Sequence, residues 1–479
     1  MSRNAAPRRR LVSGLDSSSA SVNDKSRPSD PNQEHAVCAK FVTTNKQGRR
    51  EVVLLSLDRP VSIGRNPSLC TYVINNAVVS NVHCKLYAVL SSTGGVIISC
   101  QDLSTNGLVL NGHKLRKSWA IVVDGDVIEI PSSQAFKCIQ VMKEPRQKAH
   151  IFEPTPPRGS TYKNLKVGKY TIMSHCLGSG TFATVHLAID TEGHRQIACK
   201  TIMTKSNDKQ EMHKVMKEVQ IMRGLDHPNI NRVWDVEVNE RNAWLHIFLE
   251  LCAGGDLFTY ITSHKQSDGR LCEGEAKYIM FQVLKGLKYL HDRLISHRDL
   301  KPENILLHAP GPYPRVQIAD FGLARPKAYQ ETLNVCGTVA YLPPEGILAL
   351  DRRDLGYVGM PADCWSSGVV LYTMLSGTHP FDYREDRGDG TESSWFSNNT
   401  CPSQISAVGE NVIKSRIVNG EVEFEGYIWD PIPKAKMLVG KLLIHNYRLR
   451  ETVYGAMKDE WIVSDLEELE AAYRERIGS

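Results

Sequence analysis

Short runs in which apolar and polar residues alternate recur between residues 37 and 142, and they predict β-strands. The runs are EVVLLSL (51–57), VHCKLYAVL (82–90), GVIISC (95–100), DVIEI (126–130) and FKCIQVM (136–142). Turn-forming sequences such as GRNPS and SSTGG separate them, and the apolar positions show no helical period. About 100 residues of closely spaced short strands predict one all-β sandwich domain.

The pattern changes at Tyr170, where strand-like runs are followed by segments with helical spacing. YTIMSHCLG, TVHLAID and QIACKTI come first, and KQEMHKVMKEVQIMRGL at 209–225 places apolar residues at helical intervals. Later segments alternate helical patterns with Gly and Pro turns as far as Trp461. Roughly 290 residues of mixed α and β structure are long enough for a two-lobed catalytic domain. We therefore expect a multidomain chain, an all-β sandwich followed by a two-lobed α+β domain.

Four segments lack such periodicity and are expected to lie outside the folded cores. Residues 1–36 are rich in Ser, Asn, Asp, Arg and Pro and predict a disordered basic tail, because they hold too little apolar surface to offset ordering. Its cluster Arg8–Arg10 suits either part of a nuclear import signal or a solvated tail. Residues 143–168 carry four prolines and predict a linker. Residues 382–410 predict an insertion, and 463–479 an acidic C-terminal tail.

Composition narrows the class of protein. The 479 residues are 41% hydrophobic and 23% charged, as in soluble globular chains. The net charge of +5 is small for this length, so direct nucleic-acid binding is not expected. No apolar run reaches the ~18–20 residues that a membrane helix needs, so no membrane partner is expected. The twelve cysteines form no CxxC pair or zinc spacing, which indicates a reduced, intracellular compartment.

A glycine-rich turn joins the first two long strands of the catalytic region. Its residues are Leu177, Gly178, Ser179, Gly180, Thr181, Phe182, Ala183, Thr184 and Val185. Glycine allows backbone amides to approach phosphate groups closely. Lys200 ends the next apolar strand, and Glu218 follows on the helical stretch, where it suits an ion pair with that lysine.

The sequence HRDLKPEN (297–304) provides groups for phosphoryl transfer. Asp299 suits orienting a hydroxyl group and accepting its proton, Lys301 suits neutralising a phosphoryl group, and Asn304 suits holding a metal ion. Asp320, in the sequence DFG, offers a carboxylate to Mg²⁺. The sequence PPE (343–345) then ends the loop that follows.

In this order, these motifs resemble the eukaryotic protein kinase family over residues 170–462. The resemblance implies that ATP binds under the glycine-rich turn, with Lys200 contacting its phosphates and pairing with Glu218. It also implies that Asp299 is the catalytic base. Asn304 and Asp320 would bind Mg²⁺.

The hinge and two departures follow from the same resemblance. Leu249 would be the gatekeeper, and the hinge residues Glu250 and Cys252 would contact the nucleotide. Ala183 stands where the family has its third glycine, and PPE replaces the usual Ala-Pro-Glu. Glu345 is retained and is expected to pair with Arg450.

Substrate choice and activation are implied in the same way. HRDLKPEN resembles serine/threonine kinases, and Asp256 and Glu303 resemble the carboxylates that recognise a basic residue upstream of the acceptor. Solvated carboxylates beside the cleft are the alternative interpretation. Thr332 is the predicted activation-loop phosphorylation site, with Arg298 receiving the phosphate. Thr338 is expected to be structural.

The β-rich region carries IGRN (63–66), SNVH (80–83), DLSTNG (102–107) and NG (111–112) in order. This set resembles the forkhead-associated (FHA) domain over residues 37–142, and implies an eleven-stranded sandwich whose loops at one end bind a phosphothreonine peptide. The residues implied to bind it are Arg65 and Ser80 on the phosphate and Asn81, Thr105 and Asn106 on the peptide.

The combination of both domains resembles the checkpoint serine/threonine kinases of the CHK2 type and their fungal relatives, including a meiosis-specific branch. It implies a nuclear enzyme, a phosphothreonine-containing adaptor and self-association for trans-phosphorylation. Residues 1–36 contain no Ser-Gln or Thr-Gln pair, which favours the meiotic branch. A catalytically weak scaffold and a calcium/calmodulin-type kinase are the alternatives, and the acidic segment 463–479 disfavours the latter.

Overall fold

The computed structural model describes a defined part of the chain. The described residues are 36–45, 47–57, 59–91, 95–142, 164–179, 183–203, 216, 219–239, 244–264, 269–321, 324–326, 331–332, 336–352, 354–382, 407–420 and 422–478. Most of the predicted tail, linker and insertion lies outside these ranges. Within them, no helix has the length and apolar character needed to cross a membrane.

Two β-sheets form the first domain. In the described part of residues 36–142 its strands are Val37–Thr44 (β1), Arg50–Ser56 (β2), Val61–Gly64 (β3), Tyr72–Val73 (β4), Cys84–Leu90 (β5), Val96–Asp102 (β6), Leu108–Leu110 (β7), His113–Leu115 (β8), Trp119–Val122 (β9), Val127–Ile130 (β10) and Gln134–Gln140 (β11). The sheet orders are β2-β1-β11-β10-β7-β8 and β4-β3-β5-β6-β9. The predicted eleven-stranded sandwich is confirmed.

The sandwich core lies between the two sheets, because successive side chains of a strand point to opposite faces. Phe41 and Phe136 from one sheet and Leu86 and Ile98 from the other are buried there. The outer face of β6 and β9 is also apolar at Ile121, which the domain's own core does not include.

A six-stranded antiparallel sheet forms the small lobe of the second domain. Its strands are Leu165–Val167 (β12), Tyr170–Ser179 (β13), Ala183–Asp190 (β14), Arg195–Met203 (β15), Val233–Asn239 (β16) and Trp244–Leu249 (β17), in the order β12-β13-β14-β15-β17-β16. Strand β12 pairs with β13, so the predicted linker, which was extended to residue 168, is too long at its C-terminal end.

The large lobe is mainly helical. Its described helices are Leu257–Ser263 (α1), Glu273–His291 (α2), Pro344–Asp351 (α3), Gly359–Ser376 (α4), Ala407–Asn419 (α5), Gly426–Trp429 (α6), Pro433–Leu442 (α7), Val453–Ala456 (α8), Glu460–Val463 (α9) and Leu466–Gly478 (α10). Its described strands are Ile295–Ser296 (β18), Ile305–Leu307 (β19), Val316–Ile318 (β20), Arg325–Pro326 (β21), Glu331–Thr332 (β22) and Tyr357–Val358 (β23). Helices α2 and α4 are almost entirely buried and form the centre of the lobe.

Two predicted irregular segments are partly helical. Helix α5 begins at Ala407, inside the predicted insertion 382–410. The predicted acidic tail forms α10, and Lys285 on α2 pairs with Glu470 on it at 2.8 Å. The Tyr473 hydroxyl donates to Asn229 Oδ1 at 2.7 Å. The predicted tail is therefore a helix that is attached to the lobe through Glu470 and Tyr473.

Candidate functional site

The catalytic loop is held by a buried carboxylate on α4. Asp363 accepts hydrogen bonds from the backbone amides of His297 (2.9 Å) and Arg298 (2.8 Å), and its Oδ2 lies 3.0 Å from His291 Nε2. These bonds fix the backbone just before Asp299. Asp363 could not be recognised from the sequence, where its only signal is a carboxylate within the apolar run of α4.

Two of the predicted catalytic residues, Asp299 and Lys301, form one cluster with Asn304 and Thr338. Asp299 Oδ1 accepts from the amide and the hydroxyl of Thr338, both at 2.9 Å, and its Oδ2 accepts from Asn304 Nδ2 at 3.0 Å. Lys301 Nζ lies 3.2 Å from Asp299 Oδ2 and donates to the Thr338 hydroxyl at 2.7 Å. The Asp299 carboxylate and the Lys301 ammonium group are therefore held next to each other. Thr338 bonds to both groups and has the structural position expected of it.

The two predicted metal ligands lie at the same end of the β19–β20 hairpin. The Ala319 amide donates to the Asn304 carbonyl at 2.8 Å, which places Asp320 directly after the pair. The Asp320 side chain is half exposed, and its Oδ1 is 2.6 Å from Lys200 Nζ. Oxygen ligands on one hairpin fit Mg²⁺, which keeps some waters and takes phosphate oxygens. Among the described residues no three His, Cys, Asp or Glu side chains could hold a metal ion by themselves.

The nucleotide residues of the small lobe are described only in part. Gly178 pairs with Val185, and Ser179 with Thr184, so the glycine-rich turn joins β13 to β14 as expected. Gly180, Thr181 and Phe182 lie outside the described residues, and so does Glu218. The expected Lys200–Glu218 pair therefore remains a prediction.

The hinge side chains are bound to the large lobe. Glu250 Oε2 accepts from Gln317 Nε2 at 2.9 Å, and the Cys252 thiol donates to Gln317 Oε1 at 3.1 Å. Burial raises the pKa of the Cys252 thiol. Because both side chains are bonded to Gln317, Glu250 and Cys252 would contact a nucleotide through their backbone groups. Gln317 was not identified from the sequence.

Asp256 and Glu303 are both half-buried beside the cleft, and their carboxylates have different surroundings. Asp256 caps α1, accepting from the amide (2.8 Å) and the hydroxyl (3.0 Å) of Thr259. Neither carboxylate oxygen of Glu303 has a hydrogen-bond partner among the residues that the structure describes. Burial raises the pKa of Glu303 to about 7, and repulsion from Asp256 acts in the same direction.

The predicted phosphorylation site is covered. Thr332 is 5% exposed and lies opposite Tyr357 in the β22–β23 pair. Arg298, the predicted phosphate ligand, donates from Nε to the Tyr357 hydroxyl at 2.9 Å. Phosphorylation of Thr332 therefore requires β22 to leave β23.

The predicted Glu345–Arg450 pair is confirmed. The guanidinium group donates to both carboxylate oxygens, at 2.7 and 2.9 Å, and the arginine side chain is fully buried. Arg450 also donates to the carbonyl groups of Pro361, Ile444 and His445. The replacement of Ala-Pro-Glu by PPE has left this contact intact.

The predicted phosphopeptide residues gather in the loops at one end of the sandwich. Arg65 is exposed, and its Nη2 is 3.5 Å from Asn81 Oδ1. The Thr105 amide donates to the Ser80 hydroxyl at 3.2 Å, and Asn106 Nδ2 donates to the Val78 carbonyl at 3.4 Å. Three separate loops therefore meet around one exposed guanidinium group.

Buried residues below these loops fix their shape. A Cβ at Gly64 would lie 2.4 Å from the Asn81 carbonyl oxygen, so only glycine fits there. His83 Nδ1 accepts from the Ser80 amide and Nε2 donates to the Gly107 carbonyl, both at 3.3 Å. Burial lowers the pKa of His83, which favours the neutral ring that these two bonds need. 

Comparison with known proteins agrees with this geometry. Residues 171–462 match the protein kinase domain family, and residues 61–131 match the FHA domain family. A probable serine/threonine-protein kinase, fhkC of Dictyostelium discoideum, is 30% identical over 86% of this chain, which spans 63% of that relative's length.

Two yeast relatives are matched over most of their length. The meiosis-specific serine/threonine-protein kinase mek1 of Schizosaccharomyces pombe is 28% identical, covering 93% of this chain and 90% of its own. The meiosis-specific serine/threonine-protein kinase MEK1 of Saccharomyces cerevisiae is 30% identical, covering 87% and 83%.

Proposed function

The chain is a serine/threonine protein kinase of the protein kinase family that carries an FHA domain, and we propose that phosphothreonine-marked partners recruit it to act in meiotic recombination or DNA-damage checkpoint signalling. The observation that supports the catalytic half most directly is the cluster around Asp299. The Asp299 carboxylate accepts hydrogen bonds from the Asn304 amide and the Thr338 hydroxyl, and the Lys301 ammonium group lies beside it.

The residues of the cluster have separate tasks in phosphoryl transfer. Asp299 orients the hydroxyl group of the protein substrate and accepts its proton. Lys301, fixed by the Thr338 hydroxyl, neutralises charge on the phosphoryl group in transfer. Because both side chains are held before substrate arrives, little reorganisation is needed during the reaction.

ATP is the proposed phosphate donor, bound between the lobes. Asn304 and Asp320 would hold Mg²⁺, which when bound neutralises charge on the phosphates. Lys200, now paired with Asp320, would contact those phosphates from β15. The glycine-rich turn would cover them with backbone amides.

The preferred protein substrates carry a basic residue upstream of the acceptor. Glu303 is buried without a hydrogen-bond partner among the described residues, and Asp256 lies near enough to raise its pKa further. A guanidinium group would supply the missing donors and remove the repulsion between the two carboxylates.

The FHA domain is the proposed recruitment module. The exposed guanidinium of Arg65 and the Ser80 hydroxyl suit the oxygens of a phosphate group, and Asn81, Thr105 and Asn106 lie where they can bind the peptide beside it. The proposed partner is a phosphothreonine-containing adaptor protein. Docking there raises the local concentration of kinase, so that neighbouring copies phosphorylate Thr332 in trans.

The cellular setting is proposed from similarity. Two relatives matched over most of their length are meiosis-specific kinases, which supports a meiotic role. The nucleus is the proposed location. The proposal does not require direct contact with nucleic acid or membrane.

A transfer assay tests the catalytic half. Purified full-length protein with Mg²⁺, radiolabelled ATP and an arginine-bearing serine/threonine peptide should yield phosphopeptide, and Asp299→Asn should yield almost none. Wild-type protein that has been phosphorylated on its activation loop and still transfers nothing would establish a scaffold instead.

A binding assay tests the recruitment half. The full chain should bind a phosphothreonine peptide and not its unmodified counterpart. Arg65→Ala should abolish that binding and leave peptide phosphorylation by pre-activated enzyme intact. Equal binding of both peptides would contradict the proposal.

A further inference from the structure

The FHA domain carries an apolar surface that its own core does not use. Ser99 pairs with Ile121 across β6 and β9, and both side chains are buried although they lie on the outer face of the sheet. Ile97, Trp119 and Val123 lie on the same face as Ile121 and join it in an apolar cluster separate from the sandwich core.

The rest of that cluster belongs to the catalytic domain. Its buried members there are Leu187, Ala198, Leu251 and Ala253, and the partly buried residues packed against them are Met173, Leu177, Val185 and Leu249. Described residues of both domains therefore form one shared apolar cluster.

Buried hydrogen bonds fix the two domains against each other. Gln196 on β15 accepts from the Ile121 amide at 2.6 Å and donates to the Ile121 carbonyl at 3.1 Å. The Ser99 hydroxyl donates to the Ala253 carbonyl, just after the hinge, at 2.6 Å. The FHA domain thus contacts both the small-lobe sheet and the segment that leads into the large lobe.

The covered surface coincides with the nucleotide cleft. Leu177 and Val185 are the first and last residues of the glycine-rich turn. Ala198 precedes Lys200 by two residues, so the side chains of Ala198 and Lys200 share a face of β15. At the other end of the contact, a Cβ at Gly255 would lie within 4.0 Å of the FHA domain, and Asp256 follows directly. The FHA domain lies along the mouth of the cleft, from the small lobe to the start of α1.

We propose that this contact is autoinhibitory: the docked FHA domain competes with nucleotide for the apolar surface at the mouth of the cleft, and must undock before ATP binds. Because binding equilibria at two coupled sites are reciprocal, weakening the contact must tighten nucleotide binding. The inference rests on the proposed function only in requiring that nucleotide binds between the lobes.

The test uses Ile121→Asp in the full chain. This substitution places a charge in the interface without altering the sandwich core, to which Ile121 does not belong. Titration with a fluorescent ADP analogue and Mg²⁺ should give a Kd about 5- to 150-fold lower than that of the wild type, the usual range of coupling between sites. The matched control is Val52→Asp, at a position 49% exposed on β2, which should leave the Kd unchanged.

Phosphothreonine-peptide binding, measured on the same samples, reports whether the FHA domain is folded. Retained peptide binding with unchanged or weaker nucleotide affinity in Ile121→Asp would overturn the proposal, as would an equal gain in Val52→Asp. If Ile121→Asp loses peptide binding, the nucleotide affinity of Ser99→Ala is the test of the proposal instead. It removes one hydrogen bond and should tighten nucleotide binding about 2- to 10-fold, and no gain would refute autoinhibition. If neither the wild type nor any variant binds nucleotide, the proposed catalytic function fails, and the inference fails with it.

Discussion

Glu303→Gln should make the catalytic domain more stable and its substrate choice poorer. Burial raises the pKa of Glu303 from 4.5 to about 7, so the folded protein opposes ionisation of this group. Between those two pH values the folded state binds more protons than the unfolded state does, and this group's contribution to stability falls as pH rises. At ~1.4 kcal/mol per pH unit, ionised Glu303 costs the fold about 3 kcal/mol above pH 7.

The measurement is denaturant unfolding of the full chain at pH 5 and pH 8, followed through the catalytic-domain transition. Glu303→Gln should gain about 3 kcal/mol over wild type at pH 8 and much less at pH 5. Glu468→Gln, at an exposed carboxylate on α10, is the matched control and should show no such pH-dependent gain.

The same substitution tests the role of the site in substrate binding. For the wild type, KM for an arginine-bearing peptide should rise as pH falls below about 7, because a protonated carboxyl group cannot form the charged pair. Glu303→Gln should raise KM at pH 8 and lose both the pH dependence and the preference over an alanine-substituted peptide. A variant with wild-type stability at both pH values and an unaltered arginine preference would refute this reasoning.

Three further substitutions test other parts of the structure. Asp363→Ala should lower kcat at least about tenfold, since it leaves buried amides unpaired at ~1–3 kcal/mol each, while phosphothreonine-peptide binding, measured by calorimetry, stays intact. Gly64→Ala should weaken that peptide binding at least about tenfold, because its Cβ would collide with the Asn81 carbonyl, and should spare transfer by pre-activated enzyme. Tyr357→Phe removes the hydroxyl that accepts from Arg298, and should lower the Tm of unphosphorylated protein by about 2–4 °C per kcal/mol lost. This decrease in Tm should become smaller once the activation loop is phosphorylated. An equal decrease in both forms would contradict a contact between Arg298 and Tyr357 that is specific to the unphosphorylated protein.

The candidate functional residues that the sequence identified are those whose partners are close in the chain or that belong to an ordered set of motifs. Asp299, Lys301 and Asn304 lie in one octapeptide, and the loops that carry Arg65 and Ser80 contain recognisable turns. Their assembly could be predicted because each motif sits at a strand end or a turn, where local backbone geometry fixes the position of the side chain.

The residues that were missed act from a distance. Asp363 stabilises the catalytic loop from a helix that reads as ordinary core, and Gln317 binds the hinge from the opposite lobe. Nothing in their local sequence distinguishes them, because their function depends on which segment folds against them. The burial of Thr332 is also a tertiary effect, since it arises from pairing with a strand 25 residues further along.

The contact between the domains was partly encoded in the pattern of apolar residues. A strand with one solvated face should alternate apolar and polar residues, whereas one covered on both faces reads as a continuous apolar run. Val96–Ile98 and Trp119–Val123 are such runs, although β6 and β9 belong to an antiparallel sheet with only one face on the sandwich core. The sequence pattern therefore indicates that another surface covers the outer face of the sheet at Ile121, but it does not identify that surface. That the cover is the mouth of the nucleotide cleft on the same chain follows only from the three-dimensional structure, and it makes the apolar face of the FHA domain part of how the kinase is controlled.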